Sequence, residues 1–193
     1  MQNSVNSVNS VYTKYVQISK LPKKRKAKRL PVAVSSDEFQ IIIGNTKKKH
    51  HKLAFLLGFE SGLRISEVLK LEAKDVNLKD KNILLRQAKG SKDRVVNLPK
   101  HFREDYLKLL PIKCGERALE VAFKRTCKRA GLLEKKPTLH FHSLRHGYAT
   151  RLVSNKVPIH HVRTLLGHSN ISTTNIYLEA NPQEALKSVE ELF

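Results

Sequence analysis

The stretch from Phe141 to Gly167, FHSLRHGYATRLVSNKVPIHHVRTLLG, constrains the fold more than any other part of the chain. Phe141, Leu144, Tyr148 and Leu152 recur at helical spacing, and Pro158 then opens a second run with Ile159, Val162, Leu165 and Leu166 before Gly167. Apolar residues three and four apart share one face of a helix, Pro favours the first turn, and Gly favours the position just past the last. Two short helices therefore follow one another, and each needs a common core to bury its stripe.

The same signals recur upstream. SSDEF places a capping Ser36 before two acids that suit the positive end of a helix, so a folded domain starts at about residue 36. A second helix is expected from about Lys48 to Glu60 with Leu53, Leu56 and Leu57 inward. SGLRISEVLKL then turns at Gly62 into a third, with Ile65, Val68, Leu69 and Leu71 as its buried stripe and Arg64 at its mouth.

One segment breaks the helical pattern. NILLRQAKGSKDRVVNLP contains two β-rich runs, Ile83 to Arg86 and Arg94 to Leu98, joined by a stretch with Gly90, Ser91 and Asp93, which is a hairpin signature with Lys89 and Lys92 at its tip. Helices are expected again in HFREDYLKLL and in GERALEVAFKRTCKRAG, the latter ending at Gly131. The fold class is α+β: a predominantly helical domain over residues 36–193 with a small antiparallel sheet. Its last segment, NPQEALKSVEELF, is amphipathic through Leu186, Val189, Leu192 and Phe193 and needs a surface in its own subunit or a neighbour's.

Charge narrows the partner. Lys and Arg number 37 against 17 Asp and Glu, a formal net charge of +20, which favours a polyanion. No apolar run approaches the roughly 20 residues of a spanning helix, and the polar start MQNSVNSVNSVY lacks the apolar core of a signal peptide, so no membrane partner and a cytoplasmic location are expected. Residues 1–35 read as a flexible basic arm in which Lys23, Lys24, Arg25, Lys26, Lys28 and Arg29 grip phosphates. Lys92 and Arg94 are further candidates for contacting DNA.

Cys114 and Cys127 read as ordinary thiols, since two cysteines without a paired CxxC make neither a disulfide framework nor a zinc ribbon. The adjacent pairs His50-His51 and His160-His161 point apart on a helix and meet no carboxylate cluster, so no metal is expected.

Six residues occur in one order with distinctive local wording: Arg64 in SGLRISEVLKL, Lys89 in AKGSKDR, His142 and Arg145 in HSLRH, His168 in LGHSN and Tyr177 in STTNIY. This resembles the tyrosine recombinases, or phage-type integrases, including the Xer group, over roughly residues 36 to 185. The resemblance implies a DNA strand transferase that works on double-stranded DNA without metal or cofactor and assembles as a tetramer.

The chemistry calls for such a set. Cutting a phosphodiester with a protein hydroxyl requires a nucleophile, cations that bind the charged transition state, and an acid for the departing 5′-oxygen. Tyr177 is the expected nucleophile, forming a 3′-phosphotyrosyl link. Arg64 and Arg145 are suited to fork onto the non-bridging oxygens. The resemblance assigns Lys89 as the general acid, with Lys92 as its rival in KGSK, and His142 as the proton-handling partner whose imidazole changes protonation near neutral pH. His168 is expected to donate to a phosphate oxygen, Glu67 to hold Arg64 from one turn on, and His146 to support the site.

Most family members carry a separate helical DNA-gripping domain ahead of the catalytic one, where this sequence has the basic arm. The clamp is thus expected to be reduced to that arm or supplied by a separate core-binding domain or a full-length integrase. A type IB topoisomerase-like nicking-closing enzyme and a non-catalytic DNA-binding competitor are the alternative readings.

Overall fold

The computed structural model describes residues 31–86 and 93–167. Ser35, one residue before the expected cap, starts helix α1 (Ser36–Gly44): its side chain accepts from the Glu38 N–H, and Glu38 returns a bond to the Ser35 N–H at 2.8 Å. This reciprocal pairing satisfies two of the N–H groups that a helix start leaves over.

Helix α2 (Lys49–Glu60) is the spine of the domain, with every residue from Leu53 to Phe59 buried. It is flanked by α1, by the short α3 (Ile65–Lys70) and by α6 (His142–Ser154). A helix apolar on all sides belongs in the middle of a core. Phe55 of α2 packs edge-on against Phe123 of α4 (Glu116–Arg129), with ring centroids 5.3 Å apart, and both rings meet Phe141 at 6.1 Å. That aromatic trio joins α2 and α4 to the start of α6.

The expected hairpin is present as β2 (Asn82–Leu85) and β3 (Arg94–Asn97), antiparallel, with Leu85 opposite Arg94 and Ile83 opposite Val96. A two-residue strand, β1 (Val76–Asn77), adds to its edge and gives the order β1-β2-β3. Opposed residues share one face of a sheet, so Ile83, Leu85, Arg94 and Val96 all turn inward and Val95 is left 52% exposed.

HFREDYLKLL does not form the α-helix that its pattern suggested. It forms a 3-10 turn at Glu104–Leu109 with Tyr106 buried, because Pro111 biases Leu110 toward extended backbone and cuts the segment short. Helix α4 ends as expected, with Gly131 at φ +68°, and leads into the single turn α5 (Leu132–Lys135). Helix α7 (Ile159–Leu166) is bounded by Pro158 and Gly167, as the sequence required. Cys127 is buried and its thiol is pushed up to about 12, mainly by burial, so it stays protonated. No helix among the described residues is long and apolar enough to cross a membrane.

Candidate active site

The site forms where three segments meet the C-terminal end of α7. The first is the turn after α2, where Gly62 sits at φ +69° and its carbonyl accepts from Arg145 Nη1 at 2.6 Å. A Cβ on Gly62 would lie 2.4 Å from Cδ1 of Tyr148, so both backbone conformation and space call for glycine.

Arg64 follows as the N-cap residue of α3, and Glu67 is its third residue. The Glu67 carboxylate accepts from the Arg64 backbone N–H at 2.7 Å and from Arg64 Nη1 at 2.8 Å. A carboxylate in the first turn of a helix is favoured there, and here it also fixes the arginine one turn back.

Arg94 departs from its expected place on a DNA-contacting surface. Its side chain is 5% exposed, because the β2–β3 register turns it inward. It forks onto Glu67 through Nη1 to Oε1 and Nη2 to Oε2, both at 2.9 Å. Its Nε donates to the Leu165 carbonyl at 3.0 Å. A buried guanidinium needs a paired charge and filled donors, and Glu67 with the end of α7 supplies them.

Arg145, on α6, lies 1% exposed at the floor of the site, with Nη2 donating to the Leu166 carbonyl and Nη1 reaching 4.0 Å from Glu67 Oε2. Arg64 is 34% exposed, and its Nη2 donates to the Gly167 carbonyl at 3.1 Å. Three consecutive carbonyls at the end of α7, those of Leu165, Leu166 and Gly167, therefore each accept from a different arginine. The last carbonyls of a helix lack partners within the helix and carry its negative end, so cations stabilise them.

Electrostatics follow from this packing. Burial works against ionising Glu67, but hydrogen bonds from Arg94 and the Arg64 backbone, together with the charges of both arginines, hold its carboxyl down at about 2. His142 opens α6 on the face that carries Arg145. Burial first, then Arg145, His140 and Arg64, push its imidazole down to about 4 against the opposing pull of Glu67. In this structure His142 is therefore neutral at pH 7, a proton acceptor, and does not titrate near neutrality as its residue type suggested. The His146 ring meets it edge-on at 4.6 Å.

Four of the sequence-identified residues, Arg64, Glu67, His142 and Arg145, are thus brought to one place, with His146 beside them. Lys89, Lys92, His168, Tyr177, the arm residues Lys23, Lys24, Arg25, Lys26, Lys28 and Arg29, and the amphipathic segment 182–193 lie outside the described residues. Sequence reasoning missed the site-building role of Arg94 and of the α7 carbonyls. The available signal was the alternation of Arg94 with Val95 and Val96, which puts Arg94 on the face of Val96. Among the described residues no group of three or more His, Cys, Asp or Glu side chains is arranged to hold a metal.

Known proteins resemble this chain over most of its length. A tyrosine recombinase of Thermosipho africanus is 31% identical over 191 residues, covering 91% of this chain and 66% of its own length. The tyrosine recombinase XerA of Thermococcus onnurineus is 32% identical, covering 89% of this chain and again 66% of its own length. The chain thus spans a little under two thirds of these relatives. Among solved structures, the fold matches XerH site-specific recombinase bound to palindromic difH substrate with a TM-score of 0.71 at 23% identity, over 89% of this chain and 57% of that one. A XerA recombinase crystal structure matches with a TM-score of 0.65 at 23% identity, over 92% of this chain and 74% of that one. The helical domain with its small antiparallel sheet is therefore the tyrosine recombinase catalytic fold. Residues 33–184, including all six residues of the ordered set, match the phage integrase family, and the chain belongs to it.

Proposed function

We propose that this chain is a site-specific recombinase that cuts and rejoins double-stranded DNA through a covalent ester between Tyr177 and a 3′-phosphate. The observation that carries the reading is the convergence of Arg64, Glu67, His142 and Arg145 at the end of α7, immediately before His168. The post-cleavage complex of XerH site-specific recombinase with its palindromic difH substrate supports it by similarity of fold.

In the proposed step, Tyr177 Oη attacks the scissile phosphorus, the bond from phosphorus to the 5′-oxygen breaks, and its electron pair leaves with that oxygen. Neutral His142 accepts the phenol proton, and Lys89 protonates the departing oxygen. Arg64, Arg145 and His168 bind the non-bridging oxygens, whose charge grows during attack. One phosphate ester replaces another, so a 5′-hydroxyl can reverse the step without a nucleoside triphosphate.

The arm, residues 1–35, holds flanking phosphates in this reading, residues 36–193 form the catalytic domain, and exchange takes place in a homotetramer on DNA. The test is a duplex nicked next to the scissile phosphate, from which the short 5′-hydroxyl fragment diffuses away and leaves the adduct trapped. Wild type is expected to give a protein–DNA band on a denaturing gel, and Tyr177→Phe none. A full-level adduct with Tyr177→Phe overturns the assignment of the nucleophile. Binding without any adduct points to a non-catalytic partner, and plasmid relaxation without recombinants points to a nicking-closing enzyme.

A further inference from the structure

Arg94 stands where strand β3, the start of α3 and the end of α7 meet. It leaves β3 two residues after Lys92 and is buried on the inward face of the sheet. Its fork occupies both oxygens of Glu67, the carboxylate that also orients Arg64. Its Nε holds the Leu165 carbonyl, three residues before His168. Gly167 adds a steric link, since a Cβ there would lie 3.0 Å from Arg94 Nη1.

We propose that Arg94 is a positioning residue for strand cleavage: it fixes the Arg64–Glu67 pair, the end of α7 and the strand leaving the Lys89 segment in one mutual geometry. The inference rests on the cleavage reading above. One planar guanidinium makes all three bonds at once. Lysine, a single point of charge, retains the positive charge but cannot fork onto Glu67 and reach Leu165 together. The role differs from phosphate binding, because a side chain this buried, with its donors directed at Glu67 and Leu165, presents no charge to a DNA backbone.

The test compares wild type, Arg94→Lys and Arg94→Met on the nicked duplex at saturating DNA, together with DNA affinity as a function of salt. Arg94→Lys is the principal variant, since it keeps a cation beside Glu67 and retains the fold if Arg94→Met does not. The expected result is adduct formation slowed about 100-fold in Arg94→Lys, the cost of a small misplacement of reacting groups, with DNA affinity and its salt slope unchanged. In the Arg64→Lys background the same change is expected to cost less than it does alone, because part of the effect of Arg94 runs through Glu67 to Arg64. Wild-type cleavage by Arg94→Lys, or a salt slope lower by about 1 in Arg94→Met, overturns the proposal and returns Arg94 to the phosphate contacts.

A direct readout separates this inference from the functional one. The 15N-detected Arg64 Nε–H resonance is expected to move in Arg94→Lys, and the Glu67 carboxyl midpoint to rise from about 2. If wild type forms no adduct while both signals move, the cleavage reading fails and the positioning geometry stands. If neither signal moves, the positioning proposal fails whatever the enzyme does.

Discussion

Arg94 and Glu67 face each other through two parallel hydrogen bonds, Nη1 to Oε1 and Nη2 to Oε2, each 2.9 Å long and well shielded from solvent. The same carboxylate binds the backbone and side chain of Arg64 and lies 4.0 Å from Arg145. One acid thus stands among three guanidinium groups, and the local geometry depends on it.

Glu67→Gln keeps the size of the side chain but removes the negative charge with which Arg64 and Arg94 pair. Breaking a buried ion pair from one side leaves an uncompensated charge, so the variant is expected to lose about 3 kcal/mol of unfolding free energy. Urea denaturation followed by circular dichroism checks this, and an unchanged midpoint would show that the cluster is balanced in some other way.

Acid sensitivity should come in two stages. His142 is held at about 4 in the folded chain against an ordinary 6.5, so as pH falls below 6.5 the unfolded state takes up a proton that the folded state resists. Stability is then lost between about 6.5 and 4, with a slope of up to about 1.4 kcal/mol per pH unit from this group. Glu67, held at about 2 against 4.5, contributes stability that is complete above 4.5 and lost as pH falls through 2. Unfolding free energy measured from pH 8 to pH 3 is expected to lose its upper stage in His142→Gln and its lower stage in Glu67→Gln.

Gly62→Ala tests the turn that supplies the Arg145 carbonyl partner. The left-handed backbone at φ +69° costs a Cβ-bearing residue roughly 1–2 kcal/mol, and the new Cβ would fall 2.4 Å from the Tyr148 ring. The expected outcome is a lower melting temperature together with slower adduct formation, because relieving the clash moves the carbonyl that Arg145 Nη1 binds.

The assignment of Lys89 over Lys92 as general acid is open to a leaving-group experiment. A sulfur in place of the 5′-bridging oxygen departs as a stable thiolate and needs no proton. Lys89→Ala is expected to slow cleavage of ordinary DNA about 100-fold and to recover on the sulfur-bridged strand. Recovery seen with Lys92→Ala instead would transfer the role.

The basic arm predicts a count of phosphate contacts. Eight cations precede the described residues, and six of them, Lys23, Lys24, Arg25, Lys26, Lys28 and Arg29, form the cluster proposed to grip phosphates. Deleting residues 1–30 is expected to lower the slope of log affinity against log salt by about 5 while leaving adduct formation at saturating DNA intact. An unchanged slope would mean that the arm does not engage the backbone.

Local pattern was enough to locate most helices and their ends. The stripe of α6, the Pro158 and Gly167 boundaries of α7, and the three-residue spacing of Arg64 and Glu67 are all short-range relationships fixed by helix geometry. HFREDYLKLL misled because its helical pattern is cut short before Pro111. β1 was missed because two residues carry no period to detect.

Sequence alone determined which residue types were available for phosphate chemistry, and in what order, because motif wording and helical spacing are properties of neighbours along the chain. Tertiary structure decided what they do to one another. Arg94 is 27 positions from Glu67 and 71 from Leu165, and no local period connects them. Of Val95 and Val96 only one can face the core, and the register that chose Val96 carried Arg94 in with it. Packing then did what charge counting could not foresee: burial pushed His142 down to about 4, and three arginines came together at the end of one helix.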